Sequence, residues 1–366
     1  MPSVGLGTYR VRDQDTLDTC ILEALRTGYR LIDTASVYRN EAAIGNSLKK
    51  ILEQDLVPGL TREDVFLTSK LAVQESLRNM QVDYIDLYLI HWPGTAKLKL
   101  EDPQNAINRM ESWRALEDLY HAKKLRAIGV SNFTLAHLNQ LLERPHFAHP
   151  HHHPPLSPPP TDGSLALTAS SSDDAAAAAT LAALANSSSP IATSAANAGH
   201  PRTMVMPHVH QFEMHPRLFQ KDLVEFCRHH RIQVQAYSSL GEGRLISLTP
   251  PPPPAMDTNY NSTPMPGALD IMPDLIHKYF GPQALDREAD EDTRNKEYAR
   301  RSAQILLRWG LQHDAVVIPK STHPERIRHN INLFSFEPDA ADMNALDAYS
   351  AEGERTRYCW DPTEVC

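Results

Sequence analysis

Cysteine is scarce and scattered. Cys20, Cys227, Cys359 and Cys366 are the only four in 366 residues, and no Cys-x-x-Cys pair occurs. That excludes a disulfide framework and a zinc ribbon, and makes reduced thiols the expectation. Long apolar runs are missing as well. None approaches the roughly 20 residues that span a bilayer, and residues 1–8 carry no signal-peptide pattern, so a cytoplasmic protein with no membrane partner is expected. Basic charge is also in deficit: 36 Lys and Arg face 45 Asp and Glu, a formal charge of -9. No window gathers cations into a stripe that could follow a phosphate backbone, which argues against nucleic acid. Finally, a dinucleotide fingerprint is lacking. Gly5 and Gly7 are followed by Arg10 where a third glycine belongs, and no acidic residue follows a strand at the needed distance.

Two stretches lack the apolar residues of a packed core. Residues 145–203 are built from Pro, His, Ser and Ala and read as a disordered insertion. Residues 247–291 carry prolines at 250–254 and read as mostly disordered, apart from one short helix near 271–280. Removing both leaves 262 residues, close to the roughly 250 of one eight-fold β/α barrel. A single domain over 1–366 is therefore expected.

In that remainder, β-branched runs alternate with segments of helical period, the pattern of a parallel sheet. Strands are expected at 3–7, 30–34, 65–71, 84–92, 125–131, 204–212, 232–238 and 316–319. Helices are expected at 16–27, 41–53, 113–124, 135–142, 221–230, 300–313 and 324–333. Only 12 residues separate Leu71 from Tyr84, about the minimum for a parallel return, so the third helix shrinks to residues 75–80. The fold class is α/β, a (β/α)8 barrel of the triosephosphate isomerase type with a shortened third crossover.

Such barrels place chemistry where strands end. Asp33 closes Leu-Ile-Asp, Tyr38 follows it, Lys70 closes Leu-Thr-Ser-Lys, and His91 closes Leu-Ile-His. Singly, each has a plain structural reading: a helix cap, a rim aromatic, a solvated Lys or His. Together they form an acid site. An ammonium beside a phenol favours phenolate and lowers the Tyr pKa, while Asp33 holds Lys70 charged and in place. The histidines at 146, 149 and 151–153 have no Cys or carboxylate partner nearby, so no metal is expected.

Nine phrases in order resemble the aldo-keto reductases. They are Val-Gly-Leu-Gly-Thr at 4–8, Gly-Tyr-Arg-Leu-Ile-Asp-Thr-Ala-Ser-Val-Tyr at 28–38, Asn-Glu at 40–41, Phe-Leu-Thr-Ser-Lys-Leu at 66–71 and Asp-Leu-Tyr-Leu-Ile-His-Trp-Pro at 86–93. Ile-Gly-Val-Ser-Asn-Phe at 128–133, His-Gln-Phe-Glu-Met-His-Pro at 210–216, Gln-Ala-Tyr-Ser-Ser-Leu-Gly at 235–241 and Ile-Pro-Lys-Ser at 318–321 continue the series. The resemblance implies hydride transfer from NADP(H) to a small-molecule aldehyde or ketone. It casts Tyr38 as general acid, with Lys70 and Asp33 tuning it and His91 orienting the carbonyl.

On the same resemblance, Gly7, Thr8, Asp33, Ser131, Asn132, Gln211, Tyr237, Ser238 and Leu240 touch the cofactor. Of these, Ser131, Asn132 and Gln211 face the carboxamide and Tyr237 stacks on the nicotinamide. Lys320, Ser321, Arg326 and Asn330 clasp the adenine-side 2'-phosphate, favouring NADP(H) over NAD(H). Tyr9, Tyr38, His91 and Trp92 line the substrate pocket. Read alone, Ser131-Asn132 could cap a helix, Tyr237 could be strand packing, and the last cluster a solvated basic turn.

Several features depart from the family pattern. The hairpin that usually plugs the barrel floor has no counterpart in the sequence given. The short third crossover threatens the position of Lys70, His210 stands where Asn is usual, and Tyr9 where Trp is common. These leave a second reading open, a catalytically impaired NADP(H)-binding barrel serving as a scaffold or redox-sensing partner. The absence of an extended apolar heptad argues against a coiled-coil dimer, and a monomer is expected.

Overall fold

The computed structural model describes residues 1–143, 204–248, 266–286, 288–351 and 355–366. The segment at 145–203, with its histidine tract, and residues 249–265 lie outside the described residues. Eight parallel strands form one sheet in sequence order: β1 Leu6–Gly7, β2 Leu31–Asp33, β3 Phe66–Lys70, β4 Ile85–Ile90, β5 Leu125–Ser131, β6 Val209–Glu213, β7 Gln233–Tyr237 and β8 Val316–Val317. Val4 bridges Val317 and Gly7 bridges Lys320, so the last strand returns to the first. Gly7 is required there, because a Cβ would lie 2.8 Å from the Ile318 carbonyl oxygen.

Side chains alternate across each strand, and that alternation builds two environments. Ile32, Tyr88, Ile128 and Ala236 join the main core, shared with the surrounding helices. Leu31, Leu87, Leu89, Val209, Val316 and Ile318 form two smaller apolar clusters. Two residues on along the same strand faces come Asp33, His91, Gln211 and Lys320. Each inward face thus turns from apolar to polar toward the C-terminal end of its strand, and this change of character locates the site.

The third crossover is the helix Val73–Met80, beginning two residues earlier than expected and ended by Gln81 in the left-handed region at φ 56°. It docks on helix Glu41–Glu53 at Gly45, where a Cβ would come within 2.6 Å of the Met80 carbonyl oxygen. Two other helices begin well before their expected starts, at Gln104–His121 and Glu291–Gln312. The latter is capped by Asp290, which accepts from the Thr293 amide at 2.9 Å. Its first turns are charged and have no apolar stripe to betray them. β6 starts at Val209 rather than 204, Pro207 having no N–H to give to a ladder. Helix Met272–Phe280 buries Met272, Leu275 and Ile276. Helix Ala340–Asp347 carries no apolar stripe in the sequence, since only Leu346 on it is buried.

Candidate active site

Asp33 ends β2 and Lys70 ends β3, both buried, and the Lys70 Nζ donates to Asp33 Oδ1 at 2.8 Å and to the Thr34 carbonyl oxygen at 3.0 Å. An ammonium has three donors, so these two bonds leave one uncommitted. Lys70 is fully buried, which for a cation requires such pairing. The short crossover has not displaced it. Ser69 Oγ donates to the buried carboxylate of Glu41 at 2.6 Å, and Asn79 of the crossover helix reaches the same carboxylate at 3.3 Å. The end of β3 is thereby tied to the helices on either side.

Tyr38 closes the 3-10 turn Ser36–Tyr38 after β2. Ser36 Oγ donates to the Lys70 carbonyl oxygen at 3.2 Å, fixing that turn to the end of β3. The Lys70 Nζ lies 5.4 Å from the centre of the Tyr38 ring. His91 meets the ring edge-on at 6.0 Å, and Tyr9 packs on it at 5.0 Å. One expectation is corrected. The Tyr38 phenol is not acidified but pushed well above its usual pKa of 10.0, first by burial and then by the Asp33 carboxylate. The reason is geometric: the Lys70 charge is spent on Asp33, while the phenol sits among poorly solvating neighbours. Burial, followed by the Lys70 charge, lowers the His91 pKa to about 3. His91 is thus a neutral imidazole, and its Nδ1 is buried without a hydrogen-bond partner among the described residues.

The second Asp33 oxygen accepts from Gln211 Nε2 at 2.7 Å, and the same Nε2 donates to Gln235 Oε1 at 2.8 Å. Both amide hydrogens are committed, so what Gln211 has left to offer is its Oε1, an acceptor. The Asn132 amide is likewise engaged: Nδ2 donates to the His91 carbonyl oxygen at 3.0 Å and to Ser131 Oγ at 3.1 Å, and Oδ1 accepts from the Tyr237 hydroxyl at 2.7 Å. Tyr237 is held in place by that bond. The Thr8 hydroxyl donates to the Asp33 carbonyl oxygen at 2.9 Å. The Ser238 hydroxyl lies 3.2 Å from the Cys359 sulfur, and Leu240 immediately precedes the 3-10 segment Gly241–Ile246. Trp92 meets Trp360 edge-on at 6.4 Å. Past β8, Ser321 and Asn330 are buried, whereas Lys320 and Arg326 are exposed and make no ion pair among the described residues.

Two charges and two aromatic donors converging on one barrel mouth narrow the choice of family. The sequence pattern of the Aldo/keto reductase family matches residues 3–152 and 181–351. The chain belongs to that family. It is 30% identical to a glyoxal reductase of Bacillus subtilis over 364 residues, covering 96% of this chain and 90% of that protein. It is 31% identical to an uncharacterized oxidoreductase, YtbE, of the same bacterium, covering 95% and 89%. Among solved structures, the Bombyx mori aldo-keto reductase AKR2E4 in complex with NADP superposes with a TM-score of 0.63 at 25% identity, covering 98% of this chain and 92% of that one.

As an aldo-keto reductase, the protein is an oxidoreductase of carbonyl compounds built on a (β/α)8 barrel. Its site includes residues that the sequence did not single out. Gln235 orients Gln211, and Asn40 ties β1 to β2 by accepting from the Thr34 hydroxyl at 2.6 Å and donating to the Thr8 carbonyl oxygen at 2.9 Å. The available signal was a polar side chain on the inward face of an apolar strand, as with Gln235 and Thr68. No helix of the described residues is long and apolar enough to cross a membrane.

Proposed function

We propose that the protein reduces aldehydes and ketones to alcohols with NADPH, with Tyr38 as general acid. The observation that carries this reading is the buried Asp33–Lys70 pair beneath Tyr38, with neutral His91 at the ring edge. A buried ion pair is a costly way to stabilise a fold, so its place at the strand ends points to chemistry.

The residues fit the cofactor. Gln211 offers an acceptor for a carboxamide N–H, Tyr237 offers a ring fixed by its bond to Asn132, and Lys320 with Arg326 offers unpaired cations for a 2'-phosphate. When bound, NADPH supplies the hydride that reaches the carbonyl carbon. His91 orients the carbonyl oxygen through an N–H of its neutral ring. Tyr38 enters protonated and gives its proton to the oxygen as negative charge develops there, completing the alcohol. Lys70, held by Asp33, turns its remaining N–H toward the phenol and steadies the phenolate left behind. Similarity to a glyoxal reductase makes small oxoaldehydes the first substrates to try. The scaffold reading rested on damage from the short crossover, and the intact Lys70–Asp33 contact speaks against it.

Purified protein mixed with NADPH and a panel of aldehydes is expected to bleach the nicotinamide absorbance. Tyr38→Phe is expected to lose about 10²–10⁴-fold in kcat with the NADPH Kd unchanged, the span of a general acid's contribution. A folded protein that turns over nothing would sink the reductase reading. Equal Kd values for NADPH and NADH would remove the phosphate clasp.

A further inference from the structure

Gln235 lies in the middle of β7, paired with Gln211 of β6 on one side and Val316 of β8 on the other, and it is wholly buried. Its two amide atoms fare unequally. Oε1 accepts from Gln211 Nε2 at 2.8 Å, while Nε2 has no hydrogen-bond partner among the described residues. A buried donor left unpaired costs free energy, so a glutamine that only filled space would be outdone by methionine or leucine. The bond made by the oxygen is what the polar side chain contributes there.

The polarity of that bond is set from its far end. Asp33, ion-paired with Lys70 through Oδ1 at 2.8 Å, can only accept, and its Oδ2 takes one N–H of Gln211 at 2.7 Å. The second N–H of the same nitrogen goes to Gln235. Without that partner the hydrogen is free, and a turn of the Gln211 amide then presents N–H as readily as oxygen to a ligand. With both hydrogens held, by β2 on one side and β7 on the other, the amide has one orientation and one group to offer. That group is an acceptor, which bonds a carboxamide N–H and has nothing for a ketone.

We propose that Gln235 is a positioning residue that locks the Gln211 amide, so that the site tells a nicotinamide carboxamide from a group without an N–H. The proposal rests on the reductase reading, and its test is equilibrium binding, which needs no turnover. NADP+ is compared by calorimetry with its 3-acetylpyridine analogue, in which a methyl ketone replaces the carboxamide. The wild-type protein is expected to bind NADP+ about tenfold more tightly, the scale of one buried hydrogen bond. In Gln235→Met, similar in size but without the acceptor, the ratio is expected to fall to about twofold. Gln235→Glu, which keeps an acceptor, is expected to restore it.

Gln211→Met is expected to abolish the preference by itself, and adding Gln235→Met to change the ratio no further, because one residue acts through the other. A Gln235 that served only the fold would weaken both nucleotides alike in its Met variant and leave their ratio intact, which would overturn the proposal. If Gln235→Glu does not fold, the double variant decides: a ratio altered beyond that of Gln211→Met would overturn the proposal equally. So would a wild-type protein that binds the two nucleotides with one affinity. Wild-type protein that prefers NADP+ yet reduces no aldehyde would instead overturn the reductase reading.

Discussion

Lys70 and Asp33 place two opposite charges inside the barrel, and each is tolerable only because of the other. Removing one partner leaves an unpaired buried charge, at a cost of about 3–5 kcal/mol, whereas removing both can be nearly neutral. Lys70→Met and Asp33→Asn are each expected to lower the denaturation midpoint sharply, and the double variant to recover most of that loss while remaining inactive. A double variant no more stable than the singles would show that the pair is not coupled. Tyr38 carries a second prediction at this scale. In reduction the phenol must be protonated, so activity declines only as pH rises through its pKa, which burial and Asp33 place above 10.0. The kcat/KM for aldehyde reduction is expected to show no falling limb from about pH 6 to about pH 9.5. A falling limb inside that window, absent in Lys70→Met, would mean that the Lys70 charge outweighs burial once the cofactor is in place. The four residues were legible at the ends of apolar strands. The direction of the Tyr38 shift was not, because it depends first on how deeply the closed barrel mouth buries the phenol and then on the Asp33 carboxylate beside it.

The short third crossover works as an element because its neighbour makes room for it. Helix Glu41–Glu53 carries Gly45 where the backbone of Met80 passes, and Glu41 joins Ser69 of β3 to Asn79 of the crossover. Adding one methyl group at position 45 must push the two helices apart. Gly45→Ala is expected to destabilise by about 1–3 kcal/mol in chemical denaturation, despite the better helix propensity of alanine. Because Lys70 lies only three residues before that crossover helix, the same variant is expected to lose kcat. A variant as stable as the parent would show that the close approach is relaxed in solution. Strand positions and helix Leu135–Leu142 were readable from periodicity, since their buried faces are apolar. The charged first turns of Glu291–Gln312 and the nearly unburied helix Ala340–Asp347 were not, because capping and tertiary docking hold them rather than an apolar stripe.

Across the whole molecule, buried neutral histidines make stability depend on acid. His210 is fully buried against helix Lys221–His229, with Cys227 Sγ 3.5 Å from its Nδ1, and burial lowers its pKa to about 3. The unfolded chain binds the proton at its ordinary pKa, so stability is complete above about pH 6.5 and is lost as pH falls toward 3. At about pH 5 a histidine so placed removes about 2 kcal/mol. The melting temperature is therefore expected to drop between about pH 7 and about pH 5, and to drop less in His210→Asn. An equal drop in both proteins would assign the acid sensitivity to other groups. The sequence by itself determined the alternation of strand and helix, the apolar faces that close the barrel, and the polar residues at the strand ends, because each is written within a few neighbouring residues. Only the tertiary structure decided which of those polar groups meet. Asp33 reaches Gln211 and Glu213 reaches Tyr358 across more than a hundred residues of chain, and contacts of that kind are set by closure of the barrel, where burial forces every charge and amide to find a partner.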